Sequence, residues 1–257
     1  MIPATVHFVG AGPGDPELLT LKAHALLRCA DVILHDDLVA REIVALAANN
    51  AQIINVGKRC GKKWITQAQI NRLMIDAASR GLAVVRLKSG DPGIFGRLAE
   101  EISALEAADI PYEIVPGITA GISAAASIGA SLTDRRTSSR VVILTRHHAH
   151  ENAAPLNEWC GIARDDTTYI IYMPGRDLAA LRRELLDAGF APDFPAVIVS
   201  RASTPAQREW VATISALDQA PPLDPPSVLL LSRSFGEVAA RTPGPRLLPR
   251  AFVPLAR

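Results

Sequence analysis

Cysteine is scarce in this chain: its 257 residues include only Cys29, Cys60 and Cys160, with no CxxC pair among them. An odd number of widely spaced cysteines argues against a disulfide framework and against a cysteine-based zinc site. Aromatic residues make up only 5% of the chain, which argues against a surface that stacks the bases of a single strand. This cysteine usage is typical of a reducing compartment, so we expect a cytoplasmic protein.

Charge of neither sign is in excess, and long apolar runs are missing. The 27 Lys and Arg nearly balance the 26 Asp and Glu, which leaves a net charge of +1. This balance indicates no general affinity for nucleic acid or a membrane surface, so an anionic partner would need a local cationic cluster. The N-terminal residues lack the basic and apolar segments of a signal peptide, and no stretch suits a transmembrane helix.

Short apolar strands alternate with amphipathic helices in the first part of the chain. Runs rich in Val, Ile and Leu predict strands at 5–9, 31–35, 53–56, 83–87 and 110–115. Apolar residues at helical spacing predict helices at 17–30, 67–80 and 95–108. This βαβ order predicts a mostly parallel sheet covered by helices.

The pattern changes after Pro116. A helix of small residues is predicted at 119–129, and one long helix, at 178–188, lies among the strand candidates that follow. Those strands are predicted at 140–144, 168–172, 196–199, 209–214 and 227–231. This order is typical of a mixed α/β lobe with antiparallel strands. We therefore predict an N-terminal lobe at 1–116, a C-terminal lobe at 117–240 and a tail rich in Pro and Arg at 241–257.

Glycine-containing loops follow three of the predicted strands. The first, at 10–14, lies between a strand and a helix as a dinucleotide fingerprint does, but Asp15 stands where that pattern needs glycine. It also lacks the GK[ST] ending of a phosphate-binding loop, so an ordinary tight turn remains an equal alternative. The second loop, at 87–97, and the third, at 115–121, would lie at the same sheet edge or at the lobe junction, where ligands often bind.

Charged side chains also follow predicted strands, with Asp36 after the second strand and Lys58 after the third. A charged residue at one strand end is more often solvated than catalytic. Because several such ends share one edge of a parallel sheet, they favour a common site.

The densest basic cluster consists of Arg135, Arg136 and Arg140, which could bind carboxylates. The histidines at 147, 148 and 150 have no Asp, Glu or Cys at ligand spacing, so no metal site is predicted. No GxSxG elbow is present, which argues against a serine hydrolase.

Together these segments resemble the tetrapyrrole (corrin/porphyrin) methyltransferases, and most of all the members that methylate uroporphyrinogen III. The resemblance covers about residues 5–240, with the segments in the family's order. They are VGAGPGDPELLTLKA at 9–23, ADVILHDDLV at 30–39, NVGKRCG at 55–61, QAQIN at 67–71, VVRLKSGDPGIFGRLAEE at 84–101, IPYEIVPGITAGISAAASIGASLTDRR at 110–136 and TTYIIYMPG at 167–175. Each loop alone is weakly specific, whereas the combination is highly specific.

The resemblance implies two α/β lobes of the tetrapyrrole methylase fold, with S-adenosyl-L-methionine folded in a cleft between them, and a homodimer. It implies methylation of uroporphyrinogen III at C2 and C7, which yields precorrin-2 for the sirohaem, cobalamin and haem d1 branches, and S-adenosyl-L-homocysteine. A later precorrin methyltransferase and a cofactor-binding homologue without catalysis stay as alternatives. Ribose methylation of RNA is disfavoured by the balanced charge and the few aromatic residues.

The resemblance also implies the site residues, by motif match. Asp36 takes the place of the proton acceptor, Lys58 that of the proton donor, and Arg97 is assigned to the same catalytic set. The positions that contact the tetrapyrrole are Arg97, Glu100, Arg135 and His147. The cofactor positions are Pro13, Ser89, Gly90, Asp91, Ile94, Thr119, Ala120, Met173 and Ala202.

The chain departs from the family pattern at a few positions. Asp37, Asp134 and Arg146 stand where the family usually has Arg, His and Gly, and Ser89 replaces a glycine. The first three lie where the substrate rather than the cofactor is expected. We hypothesise that Arg136 or Arg146 supplies the cation that is lost at position 37.

Overall fold

The computed structural model describes residues 3–57, 65–146, 161–236 and 244–246. The chain divides into two compact units, Met1–Thr119 and Ala120–Arg257, which we call unit 1 and unit 2.

Unit 1 contains a five-stranded parallel sheet in the order β3-β2-β4-β1-β5. Its strands are β1 (Val6–Gly10), β2 (Val32–His35), β3 (Gln52–Asn55), β4 (Val84–Lys88) and β5 (Tyr112–Val115). Its helices are α1 (Leu21–Cys29), α2 (Arg41–Val44), α3 (Gln67–Ser79) and α4 (Leu98–Glu106). Because parallel strands need crossover connections, the helices cover the sheet on both faces.

Two apolar clusters hold the helices of unit 1 against this sheet. On one face, Val6, Phe8 and Val84 pack with Met74 of α3 and Leu105 of α4. On the other face, side chains of β1, β2 and β4 pack with Ala23, Leu27 and Ile43 from α1 and α2. Most residues of the central strands are therefore apolar on both sides, which explains why their sequences are nearly continuous apolar runs.

Two helices begin later than the sequence predicts. A 3-10 turn occupies Pro16–Leu18, and α1 starts only at Leu21, where the Thr20 hydroxyl accepts a hydrogen bond from Ala23 N at 3.1 Å. Helix α4 starts at Leu98 rather than at 95 because Phe95 and Arg97 both have positive φ angles, 52° and 56°. A left-handed residue cannot continue an α-helix, so the helix boundary is set by these two residues.

Unit 2 contains a six-stranded mixed sheet in the order β11-β9-β8-β10-β7-β6. Its strands are β6 (Arg140–Thr145), β7 (Thr167–Tyr172), β8 (Pro195–Ser200), β9 (Arg208–Thr213), β10 (Ser227–Leu231) and β11 (Gly244–Arg246). Only β6 and β7 pair in parallel among these described strands. Edge strand β11 falls within the range expected to be tail.

Helices α5 (Ala120–Ser127) and α6 (Leu178–Asp187) pack on the sheet of unit 2. Leu181 and Leu185 of α6 join one core cluster, and Ala124 and Ala125 of α5 join another. The predicted α/β class, with a parallel and a mixed sheet, is confirmed. Within the described ranges, no helix is both long and apolar enough to cross a bilayer.

Glycine backbones meet where the strands of unit 1 end. A Cβ on Gly10 would lie 2.5 Å from Gly117 N, and a Cβ on Gly117 would lie 2.3 Å from Gly90 O. These distances are far shorter than van der Waals contact, and the opposing atoms belong to the backbone. The loops after β1, β4 and β5 therefore approach one another to a distance that only glycine permits.

We expect Gly10→Ala to lower the free energy of unfolding by about 1–3 kcal/mol, because backbone rather than a flexible side chain would have to move. Unfolding in urea measures the change. Gly236→Ala is the matched control, since, chain neighbours aside, no described atom lies within 4 Å of its added Cβ. Its change should stay within about 0.5 kcal/mol. Equal stability of Gly10→Ala and the unmodified protein would contradict the backbone contact.

Candidate functional site

The three loops predicted to bind the cofactor in unit 1 lie side by side. They follow β4, β1 and β5, which are neighbours in the sheet and end at the same edge. Gly12 and Gly90 exchange backbone hydrogen bonds of 3.1 and 2.8 Å, which join the first loop to the second. The structure thus brings Pro13, Ser89 and Gly90 together at the carboxyl end of the sheet, where open α/β sheets bind ligands.

Asp91 ties the second loop to the third. Its Oδ1 accepts a hydrogen bond from Gly93 N at 2.8 Å, and its Oδ2 accepts one from Gly117 N at 3.0 Å. Both carboxylate oxygens therefore bind the protein's own backbone. Asp91 is predicted to bind the cofactor. In the structure, its side chain holds the loop that precedes Thr119 against the loop that carries Ile94.

Asp36 lies at the end of β2, next to β4, and Arg86 holds its carboxylate. Arg86 Nη2 donates to Asp36 Oδ1 at 2.5 Å, and Asp36 N donates to Leu87 O at 3.1 Å. The Asp36 side chain is 27% exposed, whereas that of Arg86 is 3% exposed. One side of the carboxylate is thus fixed by a buried guanidinium, and the group remains partly open to solvent.

The guanidinium of Arg86 belongs to a buried network of charges. Its Nε donates to Glu101 Oε1 at 2.9 Å, and Lys88 Nζ donates to Glu101 Oε2 at 2.6 Å. Gln67 Nε2 also donates to Glu101 Oε1, at 3.2 Å. Two cations thereby face two carboxylates, those of Asp36 and Glu101, so the network is balanced in net charge.

Burial and neighbouring charges shift the pKa values of Arg86 and Lys88 in opposite directions. Burial alone would lower the pKa of Arg86, but the charges of Asp36 and Glu101 outweigh burial and raise it above its ordinary value. Burial, with the neighbouring charge of Arg86, lowers the pKa of Lys88. Arg86 is therefore the permanent cation beside Asp36.

Arg86, Lys88 and Glu101 are not among the site residues predicted from the sequence. The available signal was the charge at alternate positions 86 and 88 of a strand that is otherwise apolar. Since side chains two apart in a strand share a face, two cations on a helix-covered face require buried anions. Glu101, in the first turn of the following helix, is one of these anions.

The predicted substrate residues are only partly brought together. Arg97 and Glu100 form an exposed pair in which Arg97 Nε and Nη2 donate to the carboxylate at 2.7 and 2.6 Å. Arg135 is exposed in unit 2. Lys58 and His147 lie outside the described residues.

Asp134, one of the departures from the family pattern, caps a turn. Its Oδ1 accepts hydrogen bonds from Arg136 N at 2.9 Å, Thr137 N at 3.0 Å and Thr137 Oγ1 at 3.1 Å. The hydrogen bond from Arg136 N, with those from Thr137, lowers the pKa of the Asp134 carboxyl. Its anion is therefore engaged by the 134–138 turn.

The predicted cofactor residues of unit 2 gather around the start of α5. Strands β7 and β8 both pair antiparallel with β10, so they end at the same sheet edge, with Met173 after β7 and Ala202 after β8. Gly121 N, one residue after Ala120, donates to the Tyr172 hydroxyl at 2.8 Å, and the hydroxyls of Ser123 and Ser203 are hydrogen-bonded. Helix α5 is thereby joined to both turns.

Backbone strain concentrates in the same segments. Six described residues other than glycine have a positive φ, and five of them flank or form the predicted sites: Phe95, Arg97, Met173, Arg201 and Ser203. Such conformations cost of order 1–3 kcal/mol each and persist where the surroundings hold them. The strain marks these loops as candidate ligand-binding segments independently of the family resemblance.

Comparison with known proteins agrees with this geometry. The model of the Tetrapyrrole (Corrin/Porphyrin) Methylases matches residues 5–218. The uroporphyrinogen-III C-methyltransferase of Paracoccus denitrificans (strain Pd 1222) is 42% identical over 238 residues, which cover 91% of this chain and 81% of that protein. A siroheme synthase of Psychrobacter sp. (strain PRwf-1) is 43% identical over 237 residues, covering 91% of this chain and 47% of that protein. The chain thus spans about half the length of several curated relatives that it matches.

A solved structure is similar over almost the whole chain. It is the uroporphyrin-III C-methyltransferase from Thermus thermophilus, complexed with S-adenosylhomocysteine. The TM-score is 0.77 at 33% sequence identity, and the alignment covers 93% of this chain and 100% of that chain.

We expect Glu101→Gln to lower the free energy of unfolding by about 3–5 kcal/mol, because it leaves two buried cations with one carboxylate. Glu100→Gln is the matched control on the same helix. It breaks an ion pair whose side chains are about half exposed, so its effect should be at most about 1 kcal/mol. Urea unfolding of both variants is the measurement, and similar losses for the two would contradict the balanced network.

Proposed function

The chain belongs to the tetrapyrrole (corrin/porphyrin) methylase family, and on that premise we propose that it methylates uroporphyrinogen III at C2 and C7. The methyl donor is S-adenosyl-L-methionine and the product is precorrin-2. The observation that carries the proposal is the 42% identity to a uroporphyrinogen-III C-methyltransferase over 91% of the chain. The convergence of the three glycine loops in unit 1 supports it.

The residues at the predicted cofactor positions suit S-adenosyl-L-methionine. They offer backbone groups and small or apolar side chains, and the one carboxylate among them, Asp91, is already bound to backbone N–H groups. The cofactor carries an adenine ring, hydroxyls and compact charges, for which backbone N–H and carbonyl groups offer hydrogen bonds and apolar side chains offer contact. In unit 1, Pro13, Ser89, Gly90, Ile94 and Thr119 would hold it; in unit 2, Ala120, Met173 and Ala202 would do so.

The cofactor supplies an electrophilic methyl group when it is bound, and the chain's own residues manage charge and protons. We assign Asp36 to stabilise positive charge on the methylated ring and to accept the proton that leaves it. Arg86 suits this role, since a buried, permanently charged partner holds the carboxylate in one orientation. Arg97 and Glu100 present an exposed charged pair to the substrate, and Lys58 is assigned as proton donor.

The substrate is an octacarboxylate, so its site needs cations. Arg135 and Arg136 are both exposed and can serve, and 89% of the Arg136 side chain is accessible. Because the anion of Asp134 is engaged by its own turn, its presence beside these arginines is compatible with an anionic substrate. Asp37 accepts a hydrogen bond from Asn55 at 3.4 Å.

The remaining parts of the proposal concern assembly and location. We propose a homodimer from the family resemblance, and a cytoplasmic protein without a nucleic-acid partner from the cysteine usage and the near-neutral charge. Light scattering of the purified protein measures the dimer directly. A monomer at micromolar concentration would contradict that part alone.

We expect the purified protein to convert uroporphyrinogen III and S-adenosyl-L-methionine into a dimethylated product, detected by mass spectrometry. Asp36→Asn should lower kcat by about 10²–10⁴-fold, the usual contribution of a general acid or base. Binding of S-adenosylhomocysteine, measured by calorimetry, should persist. Asp76→Asn, which alters an exposed carboxylate on α3, is the matched control and should keep the original rate.

Two other outcomes would replace the proposal. Methylation of precorrin-2 but not of uroporphyrinogen III would identify a later precorrin methyltransferase. Binding of S-adenosylhomocysteine with no turnover of either substrate would identify a homologue without catalysis.

A further inference from the structure

Arg146 follows β6 and makes hydrogen bonds with every nitrogen of its guanidinium. Its Nε and Nη2 donate to the two carboxylate oxygens of Glu184 on α6, each at 2.7 Å, and its Nη1 donates to Pro174 O at 2.7 Å. Its backbone N donates to Tyr172 O at 3.1 Å. The side chain is 19% exposed, so this is a largely buried, bidentate pair rather than a surface contact.

The segment that Arg146 contacts is the strained turn after β7. Met173 has a φ of 51° and Gly175 a φ of 84°. A methionine with a positive φ keeps this conformation only where neighbouring groups stabilise it. Pro174, between these two residues, is buried, and its carbonyl is the acceptor for Arg146.

The Arg146 guanidinium occupies the space beside Gly175. A Cβ at position 175 would lie 2.7 Å from Arg146 Nη1. The guanidinium therefore covers the turn on the side where any other residue would place its side chain. Glu184 fixes the guanidinium in this place, and through it α6 braces the turn.

We propose that Arg146 is a positioning residue, which holds the turn 173–175 in its strained conformation and thereby sets the affinity for S-adenosyl-L-methionine. This inference rests on the proposed function, in which Met173 contacts the cofactor. It also replaces the hypothesis that Arg146 supplies a cation to the substrate. Since the charge of Arg146 is already paired with the Glu184 carboxylate, we expect the cation for the substrate carboxylates to come from another residue.

The chain provides a matched control on the same strand. Arg140, at the start of β6, donates from Nη2 to both carboxylate oxygens of Asp166, and its side chain is about half exposed. Arg140→Met therefore removes an arginine–carboxylate pair from β6 without touching the turn after β7. It reports any general effect of weakening the edge of the sheet.

The test compares Arg146→Met, Glu184→Gln, the double variant and Arg140→Met by calorimetric titration with S-adenosylhomocysteine. Circular dichroism and Tm confirm that each variant is folded. Arg146→Met should weaken binding about tenfold, the equivalent of one lost hydrogen bond to a charged group. The double variant should bind no more weakly than Arg146→Met, because both changes act through the same turn. The KM for uroporphyrinogen III should stay unchanged in Arg146→Met.

The inference would be overturned if Arg146→Met bound S-adenosylhomocysteine within twofold of the unmodified protein, or if Arg140→Met lost as much affinity for it. It would also be overturned if Arg146→Met raised the KM for uroporphyrinogen III and left the cofactor affinity unchanged. If Arg146→Met does not fold, Glu184→Gln decides, since it frees the guanidinium without creating a cavity. No binding of S-adenosylhomocysteine by the unmodified protein would instead refute the proposed function.

Discussion

Backbone contact among three glycines is the constraint on which the candidate site of unit 1 depends. Gly10, Gly90 and Gly117 end or follow neighbouring parallel strands, and their backbones meet at distances that exclude a Cβ. Asp91 then ties two of the loops together through backbone N–H groups. The glycines thus allow the close packing that brings the predicted cofactor residues Pro13, Ser89 and Gly90 together.

A second constraint concerns charge in a covered face of the sheet. Arg86 and Lys88 lie on a face that α3 and α4 cover, so they can be charged there only because Asp36 and Glu101 face them. This arrangement links Asp36 to the interior while leaving part of its carboxylate accessible. A permanent cation thus holds the Asp36 carboxylate in one orientation.

In unit 2 the corresponding constraint is the strained turn 173–175, which hydrogen bonds from neighbouring elements stabilise. The Tyr172 hydroxyl binds the start of α5, and Arg146, fixed by Glu184, binds the turn that follows. The left-handed Met173 is thus a property of its surroundings more than of its own sequence. The same reasoning applies to Arg201 and Ser203, which flank Ala202. Ser203 is hydrogen-bonded to Ser123 of α5, and Arg201 N donates to Pro226 O.

Local sequence patterns account for the α/β class, most of the strands and the loops that carry the candidate site. These features depend on local periodicity and on the motif order, which the family matches and the fold confirm. The start of α1 and the engagement of Asp134 depend on near neighbours in the chain. The start of α4, the buried charge network and the engagement of Arg146 depend on the tertiary structure. Each of these features depends on residues that are distant in sequence. Glu101 is the partner of the buried Arg86, and Glu184 fixes the direction of the Arg146 side chain. No local pattern specifies those partners, because the fold alone brings them within hydrogen-bonding distance.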